Sequence, residues 1–124
     1  IGHELRSKLS LVDWFLGQKK TCIGYSKAYF SGFPTVEIYK ILLKILKRKK
    51  LYGIYHLSSQ KISKYDLLKK IAKVYNKEIF IKKSSKKKIN RSLNSRKLKK
   101  ILNYKSLSWN KLILEMYKNY SKNH

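Results

Sequence analysis

Several residue types are scarce in this 124-residue chain, and each scarcity excludes a class of protein. The single cysteine, Cys22, excludes an internal disulfide and fits a reducing compartment, so we expect a cytoplasmic protein. Six acidic residues leave little material for catalysis by paired carboxylates. The three histidines are far apart in the sequence and have no cysteine or carboxylate neighbours at metal-ligand spacing, so no metal site is predicted.

Glycines and long apolar runs are also few. The five glycines form neither the G-x-G-x-x-G dinucleotide loop nor a P-loop. No apolar run is long enough to cross a bilayer, so we expect no membrane partner. Charged residues interrupt the apolar residues among the first ten positions, so the sequence shows no secretory signal there. The first residue is Ile1 rather than Met, so we expect a processed chain or the end of a longer one.

Positive charge, by contrast, is abundant. The chain has 31 Lys and Arg residues and a formal net charge of +25, whereas 43% of its residues are hydrophobic, which is too many for a disordered basic tail. One explanation is a nucleic-acid partner. The other is an AT-rich genome, because Lys, Ile, Asn and Tyr have AT-rich codons. Only four of the 31 residues are Arg, the residue that base-reading sites prefer, and this favours the second explanation.

The apolar spacing predicts an α/β chain in which helices pack with a few short strands. Helices are expected after Ser10, from Thr35 as a cap, after Ser63 with Asp66 in the first turn, near Leu98, and after Ser108. Short strands are expected in TCIGYSKAYFSGF, LYGIYHLSS and KEIFIKK, and SSKKKIN is expected to be a polar connector. Most lysines lie opposite apolar stripes, on what we expect to be solvated helix faces.

Two of the four arginines lie in the stretch NRSLNSRKLKK. Arg91 precedes Asn94 and Ser95, which stand where a helix is expected to begin. Helix N-termini favour anions, and Arg grips two oxygens of a phosphate at once. The sequence therefore leaves two alternatives open: a phosphate clamp, or a capped helix start beside a solvent-exposed Arg91.

A second pattern, Tyr65-x-x-x-Lys69, matches the Tyr–Lys pair of short-chain dehydrogenases. Ten tyrosines and many lysines make such a match expected by chance. Tyr65 also falls at a helix start, immediately after a capping Ser. We therefore predict a packing or surface role for Tyr65, and no catalytic residue is assigned in this chain.

Six motifs follow one another in an order that resembles the C-terminal part of an extended short-chain dehydrogenase/reductase. They are GHEL at 2–5, SLVDWFLGQ at 10–18, SGFPTVEI at 31–38, GIYHLSS at 53–59, SKYDLLKKIAKVY at 63–75 and RSLNS at 91–95. The members of this family that the motifs resemble include dTDP-4-dehydrorhamnose reductases and similar sugar-nucleotide reductases and epimerases. Ser92 stands where these reductases usually have Pro, so reductase and epimerase both stay open.

The resemblance implies that residues 1–124 are the substrate-binding part of a Rossmann-type enzyme. The N-terminal NAD(P)-binding part, with the cofactor loop and the catalytic Tyr–Lys pair, would be missing, and this chain alone would bind no cofactor. The implied partners are a nucleotide-diphosphate sugar and that N-terminal part; a homodimer stays open. The implied substrate contacts are Arg91, Asn94, Ser95, Pro34, Thr35, His3 and Glu4.

The alternative from a different class is a small basic α/β domain that binds nucleic acid through phosphates. Its binding would weaken steeply with added salt. The resemblance and the spread of the lysines over several helix faces make nucleic acid the less favoured partner.

Overall fold

The computed structural model describes residues 1–48 and 50–124, and its helices and strands follow the expected order. The elements are α1 (Leu11–Gly17), β1 (Thr21–Phe30), α2 (Thr35–Leu46), β2 (Ile62–Ser63), α3 (Lys64–Val74), β3 (Phe80–Asn90), α4 (Arg96–Leu102) and α5 (Trp109–Asn123). The predicted mixed α/β class is confirmed. Within the described ranges, no helix is both long enough and apolar enough to span a membrane.

The sheet has the strand order β2-β1-β3. Strand β1 pairs antiparallel with the two-residue β2 and parallel with the long β3. The parallel register runs from Thr21 opposite Phe80 to Tyr29 opposite Asn90, so both strands end at the same edge. This edge is where the loops containing Ser31 and Arg91 begin.

The core lies between the sheet and the helices, with α3 packed on β1 and α5 packed on α3. Each helix contributes buried side chains, and those with no exposure include Val12, Phe15, Ile41, Leu67, Ile71, Leu112 and Ile113. Burying one such side chain contributes about 1.5–3 kcal/mol. Gly24 permits the close approach of α3, because an added Cβ would lie 2.8 Å from the Tyr65 ring and 2.9 Å from Ile81.

The predicted helix starts at Ser10, Ser63 and Ser108 are correct, since these residues are the N-caps of α1, α3 and α5, and the predicted start of α2 is shifted. Ser10 and Ser63 cap α1 and α3, and each hydroxyl accepts the backbone N–H three residues on, from Asp13 and Asp66. At α2 the N-cap is Pro34 rather than Thr35, which is already helical. The Thr35 N–H donates instead to the Ile1 carbonyl at 2.8 Å, which ties the start of the chain to α2.

Two strand assignments are wrong. The apolar stretch after Lys50 forms no strand, and Tyr52 and Ile54 are 85% and 90% exposed. The polar stretch that was expected to be a connector is instead the second half of β3, which continues to Asn90. Strand formation follows from having a pairing partner, and β1 provides one for β3 along most of its length.

A buried carboxylate that the sequence did not reveal joins α2 to the loop after α4. Glu37 is 3% exposed, and its Oε1 accepts a hydrogen bond of 2.8 Å from the Tyr104 hydroxyl. Burial, together with the hydrogen bond to Glu37, raises the pKa of Tyr104 well above its ordinary value. The Nζ of Lys40 lies 3.5 Å from the other oxygen of Glu37 and 3.4 Å from Glu115, so it also links α2 to α5.

Candidate functional site

The carboxyl ends of the parallel strands β1 and β3 bring two loops together. Ser31 follows the last residue of β1, and Arg91 follows the last residue of β3. The Arg91 N–H donates to the Tyr29 carbonyl at 3.1 Å, which extends the ladder one residue beyond β3. Ligands of α/β proteins bind at this edge of a sheet, so the position of Arg91 is that of a candidate ligand contact.

Four buried serines hold these loops, and we call them the serine junction: Ser31, Ser58, Ser59 and Ser95. Ser59 donates its hydroxyl to the carbonyls of Ser31 and Gly32, and its N–H to the Ser31 carbonyl. Ser95 donates its hydroxyl to the Ser58 carbonyl at 2.9 Å. A buried hydroxyl costs free energy unless it is paired, and each of these four is paired with a backbone group.

The loop from Arg91 to Ser95 is fixed from both sides by the serine junction. The Leu93 N–H donates to the Ser31 hydroxyl at 2.8 Å, and the Leu93 carbonyl accepts the Ser58 hydroxyl at 2.8 Å. Asn94 accepts the N–H of Arg96 on its side-chain oxygen at 3.0 Å. The backbone of the loop is therefore held in place, while the side chain of Arg91 is exposed to solvent.

The two alternatives for this loop can now be compared with its geometry. Ser95 is the N-cap of α4, but its hydroxyl donates to Ser58 and does not accept an N–H of the helix. Asn94 takes over part of the capping through Arg96. The structure thus brings Arg91, Asn94 and Ser95 together on one loop, and their contact with a substrate stays a prediction.

Two further cations at this loop were not singled out from the sequence. A cleft of about 440 Å³ is lined by Ser58, Ser59, Leu93, Asn94, Ser95, Arg96 and Lys99. Burial lowers the pKa of Lys99 from its ordinary value. Arg96 and Lys99 are the first and fourth residues of α4, and this spacing of three places both on one helix face and could have indicated them.

His3 and Glu4 lie in a different set of contacts. We call His3, Asp13, Tyr75 and Tyr120 the His3 cluster. The Nδ1 of His3 is 2.8 Å from Asp13 Oδ1, its Nε2 is 2.7 Å from the Tyr75 hydroxyl, and its ring stacks on Tyr120 at 3.8 Å between centroids. Both ring nitrogens are therefore engaged within the protein.

The ionisation of the His3 cluster follows from these contacts. Burial acts against the ionised form of Asp13, but hydrogen bonds from the Glu4 N–H, His3 and the Ser10 hydroxyl outweigh it and lower the pKa of Asp13. Burial, with a smaller effect of the Asp13 charge, raises the pKa of Tyr75. The exposed carboxylate of Glu4 accepts from Ser7 and from the Leu9 N–H, and these bonds lower its pKa.

Pro34 and Thr35 stand at the start of α2, beside the first residues of the chain. Pro34 is buried, whereas Thr35 is exposed. Thr35 lines a mostly apolar cavity of about 450 Å³ together with Gly2, His3, Tyr39 and Tyr120. Of the seven predicted contacts, Arg91, Asn94 and Ser95 lie on one loop. His3 and Thr35 line this cavity, and Glu4 and Pro34 are their neighbours in the chain.

Tyr65 and Lys69 have the geometry of packing. Tyr65 lies against Gly24, and the Lys69 Nζ sits 5.3 Å from the centre of the Tyr65 ring, a cation–π distance. Within the described ranges, His, Cys, Asp and Glu form no group that could hold a metal ion.

Comparison with known proteins defines the fold class to which this arrangement belongs. No protein-family model matches the chain, and no curated protein matches its sequence. Solved structures do match. They include nucleotide-sugar epimerases, reductases and dehydratases.

Three of these structures show the extent of the likeness. A UDP-N-acetylglucosamine 4-epimerase from Bacillus cereus has a TM-score of 0.72 and 16% identity over 91% of this chain and 43% of its own. The dTDP-4-dehydrorhamnose reductase of Bacillus anthracis, solved with NADP, has a TM-score of 0.73 and 13% identity, over 92% of this chain and 44% of its own. A UDP-N-acetylglucosamine 4-epimerase from Methanobrevibacter ruminantium, solved with UDP-N-acetylmuramic acid, has a TM-score of 0.69 and 12% identity, over 100% of this chain and 44% of its own.

Identities of this size establish the fold alone. The chain spans less than half the length of these proteins. The predicted resemblance to Rossmann-type extended short-chain dehydrogenases/reductases is confirmed as a likeness of fold, and function has to be argued from the site.

Proposed function

We propose that residues 1–124 are the substrate-binding, C-terminal part of an extended short-chain dehydrogenase/reductase that acts on a nucleotide-diphosphate sugar. An N-terminal Rossmann part would complete the enzyme. The proposal is supported by a shared fold over 91–100% of this chain and only 43–44% of the three compared proteins. The buried, unpaired thiol of Cys22 is consistent with the cytoplasm as its location.

The observation that carries the proposal is the position of Arg91. Its backbone is fixed to β1 through the Tyr29 carbonyl, and its loop is fixed through the serine junction. Its guanidinium is left exposed at the carboxyl edge of two parallel strands. A planar cation held at this edge suits a diphosphate, because it can donate to two oxygens at once. Arg96 and Lys99, on α4, add positive charge to the cleft beside this loop.

The residues of this chain do not fit a dinucleotide cofactor. Gly2, Gly17, Gly24, Gly32 and Gly53 are too far apart to let a backbone loop approach a pyrophosphate. NAD(P) and the catalytic Tyr–Lys pair are therefore assigned to the N-terminal part. The complete enzyme would be an NAD(P)-dependent oxidoreductase, and the part described here would hold its sugar nucleotide.

The remaining predicted contacts define the rest of the proposed cleft. Thr35 has an exposed side chain at the start of α2, next to buried Pro34. His3 and Glu4 use their polar atoms within the protein, so in this proposal they shape the chain start beside Thr35. More specifically, we propose a dTDP sugar as the substrate, as in dTDP-4-dehydrorhamnose reductases, with UDP sugars as the competing class. Assembly into a homodimer stays a prediction.

Calorimetric titration with dTDP-glucose and with UDP-N-acetylglucosamine tests the clamp. We expect Arg91→Ala to weaken binding about tenfold or more, because a charge-assisted hydrogen bond contributes about 1.5–3 kcal/mol. Arg91→Lys should recover part of the loss. The matched control is Arg6→Ala, which removes an exposed Arg from another loop and should bind as the wild type does. Unchanged affinity in Arg91→Ala would contradict the clamp.

The gene tests the proposed domain arrangement independently of binding. We expect the reading frame upstream of the Ile1 codon to stay open and to encode a Gly-rich strand–turn–helix followed by Tyr-x-x-x-Lys. A start codon immediately before Ile1, preceded by a stop codon, would contradict a missing N-terminal part. In a complete enzyme, Arg91→Ala should raise KM strongly.

A further inference from the structure

Strand β3 concentrates positive charge on regular backbone. Residues 82–88 have the sequence KKSSKKK, with five lysines in seven positions. These lysines are exposed, and the strand that contains them pairs with β1. The spacing of the lysines is therefore set by the sheet and not by a free connector.

A bulge interrupts the pairing of this lysine-rich stretch with β1. Tyr25 pairs with Ser84 and Lys27 with Lys88, so one residue of β1 lies opposite three residues of β3. The bulge contains Lys86 and Lys87, and the Ser26 hydroxyl donates to the Ser84 carbonyl at 3.3 Å at its start. Bulges re-aim side chains.

The bulge and the neighbouring strand form a groove, which we call the lysine groove: Ile23 and Tyr25 on β1, and Lys82, Lys83, Lys86 and Lys87 on β3. Its volume is about 470 Å³. Ile23 is 48% exposed, and the Lys87 Nζ lies 4.8 Å from the centre of the Tyr25 ring. An apolar and aromatic floor is therefore bordered by Lys82, Lys86 and Lys87, whereas the Lys83 ammonium lies 5.4 Å from the centre of the Tyr65 ring on α3.

No acidic side chain of the described residues neutralises these ammonium groups. The lysines that form ion pairs in the described part of the chain are Lys40 and Lys118, on α2 and α5. Lysines along an edge strand can serve only to prevent sheet-to-sheet pairing. That role explains the charge on β3, but it does not require an exposed Ile23 and a half-buried Tyr25 beside the lysines on β1.

We propose that the lysine groove binds single-stranded nucleic acid without reading its sequence. A positively charged groove with an aromatic side chain on which a base can stack is the general form of such sites. The groove contains lysine rather than arginine, so it would neutralise phosphates as point charges and would not pair with base edges. This binding is separate from the sugar-nucleotide site proposed above.

Fluorescence anisotropy with a labelled oligo-dT of about twelve nucleotides tests the charge requirement. Three phosphates neutralised by Lys82, Lys86 and Lys87 should weaken wild-type binding about eighteen-fold between 50 and 200 mM salt, since each contributes a slope of about −0.7. Changing Lys82, Lys83, Lys86 and Lys87 to Gln should abolish most of the binding and flatten this slope. The matched control changes Lys47, Lys105, Lys111 and Lys122, all exposed, to Gln and reaches the same net charge. Equal losses in both variants would overturn the proposal.

Tyr25 tests the choice of partner. Tyr25→Leu keeps the floor apolar and removes the stacking surface, so it should weaken oligo-dT binding about tenfold. Tyr39→Leu, at an exposed tyrosine of α2, is the control and should have no effect. Inorganic polyphosphate has phosphates but no bases, and its binding should be the same in both variants. If Tyr25→Leu binds oligo-dT as the wild type does, the partner is a base-free polyanion and the proposal fails.

Discussion

The serine junction and the His3 cluster both join segments that are far apart in the sequence, but they use different groups to do so. In the serine junction, hydroxyls pair with backbone carbonyls and N–H groups, over separations of up to 62 residues. In the His3 cluster, side chains pair with side chains, and the separation reaches 72 residues. The junction therefore fixes backbone, whereas the cluster fixes rings and an ionised carboxylate.

This difference matters for the proposed site. A loop that presents an exposed Arg91 needs a rigid backbone but a free side chain, and hydroxyl-to-backbone bonds provide that combination. The His3 cluster uses up the polar atoms of its members, so it suits the anchoring of the chain start to α1, α3 and α5. The comparison predicts that the two regions respond differently to substitution and to pH.

The largest effect is expected from His3→Ala. It removes the ring that stacks on Tyr120 and takes away the His3 partner of Asp13 Oδ1, whose side chain is 13% exposed. We expect the free energy of unfolding to fall by about 2–4 kcal/mol. Urea denaturation followed by circular dichroism measures the change.

Comparing His3→Phe with His3→Ala separates the contribution of ring packing to this loss from that of the hydrogen bonds. The phenyl ring keeps the stack on Tyr120 but makes neither hydrogen bond. We expect it to recover part of the loss, because aromatic pairs contribute about 0.5–1.5 kcal/mol beyond burial. A stability of His3→Ala within about 0.5 kcal/mol of the wild type would show that the cluster does not anchor the chain start.

A smaller effect is expected from single serines of the junction. Ser58→Ala and Ser95→Ala each remove one buried hydroxyl that donates to a carbonyl, and each should cost about 1 kcal/mol. The matched control is Ser106→Ala, since the buried Ser106 hydroxyl has no partner among the described residues. That substitution should be neutral or stabilising.

The junction also connects stability to the proposed binding. Ser58→Ala and Ser95→Ala should weaken sugar-nucleotide binding by a few-fold, because they loosen the loop of Arg91, whereas Ser106→Ala should not. Equal denaturation midpoints for Ser58→Ala and Ser106→Ala would mean that the junction does not contribute to stability.

Sequence patterns predicted most helices of this chain but revealed neither the serine junction nor the contacts of the His3 cluster. The caps at Ser10 and Ser63 depend on residues three positions apart, which a sequence displays directly. The four junction serines resemble ordinary loop residues, because their partners are backbone groups of distant segments. The partners of His3 are ten and 72 residues away, and no spacing rule connects them.

The two strand errors have one physical cause. The stretch around Ile54 is apolar but has no neighbouring strand to pair with, and the lysine-rich half of β3 is polar but pairs with β1. Strand preference mostly reflects packing against neighbours, so composition alone misjudged both. The edge position of Arg91 follows from the same pairing, which is why the sequence could predict Arg91 as a ligand contact but could not place it at the sheet edge.

The smallest effect is expected from pH, and it separates the two regions most cleanly. The pKa of Asp13 is lowered from 3.8 in the folded state, so its contribution to stability is complete above that value and is lost as pH falls through the folded pKa. Between about pH 5 and about pH 2.5, the wild type should therefore lose Tm more steeply than Asp13→Asn. Ser58→Ala should run parallel to the wild type, because hydroxyls do not titrate there. Parallel curves for the wild type and Asp13→Asn would mean that the cluster holds His3 by packing alone.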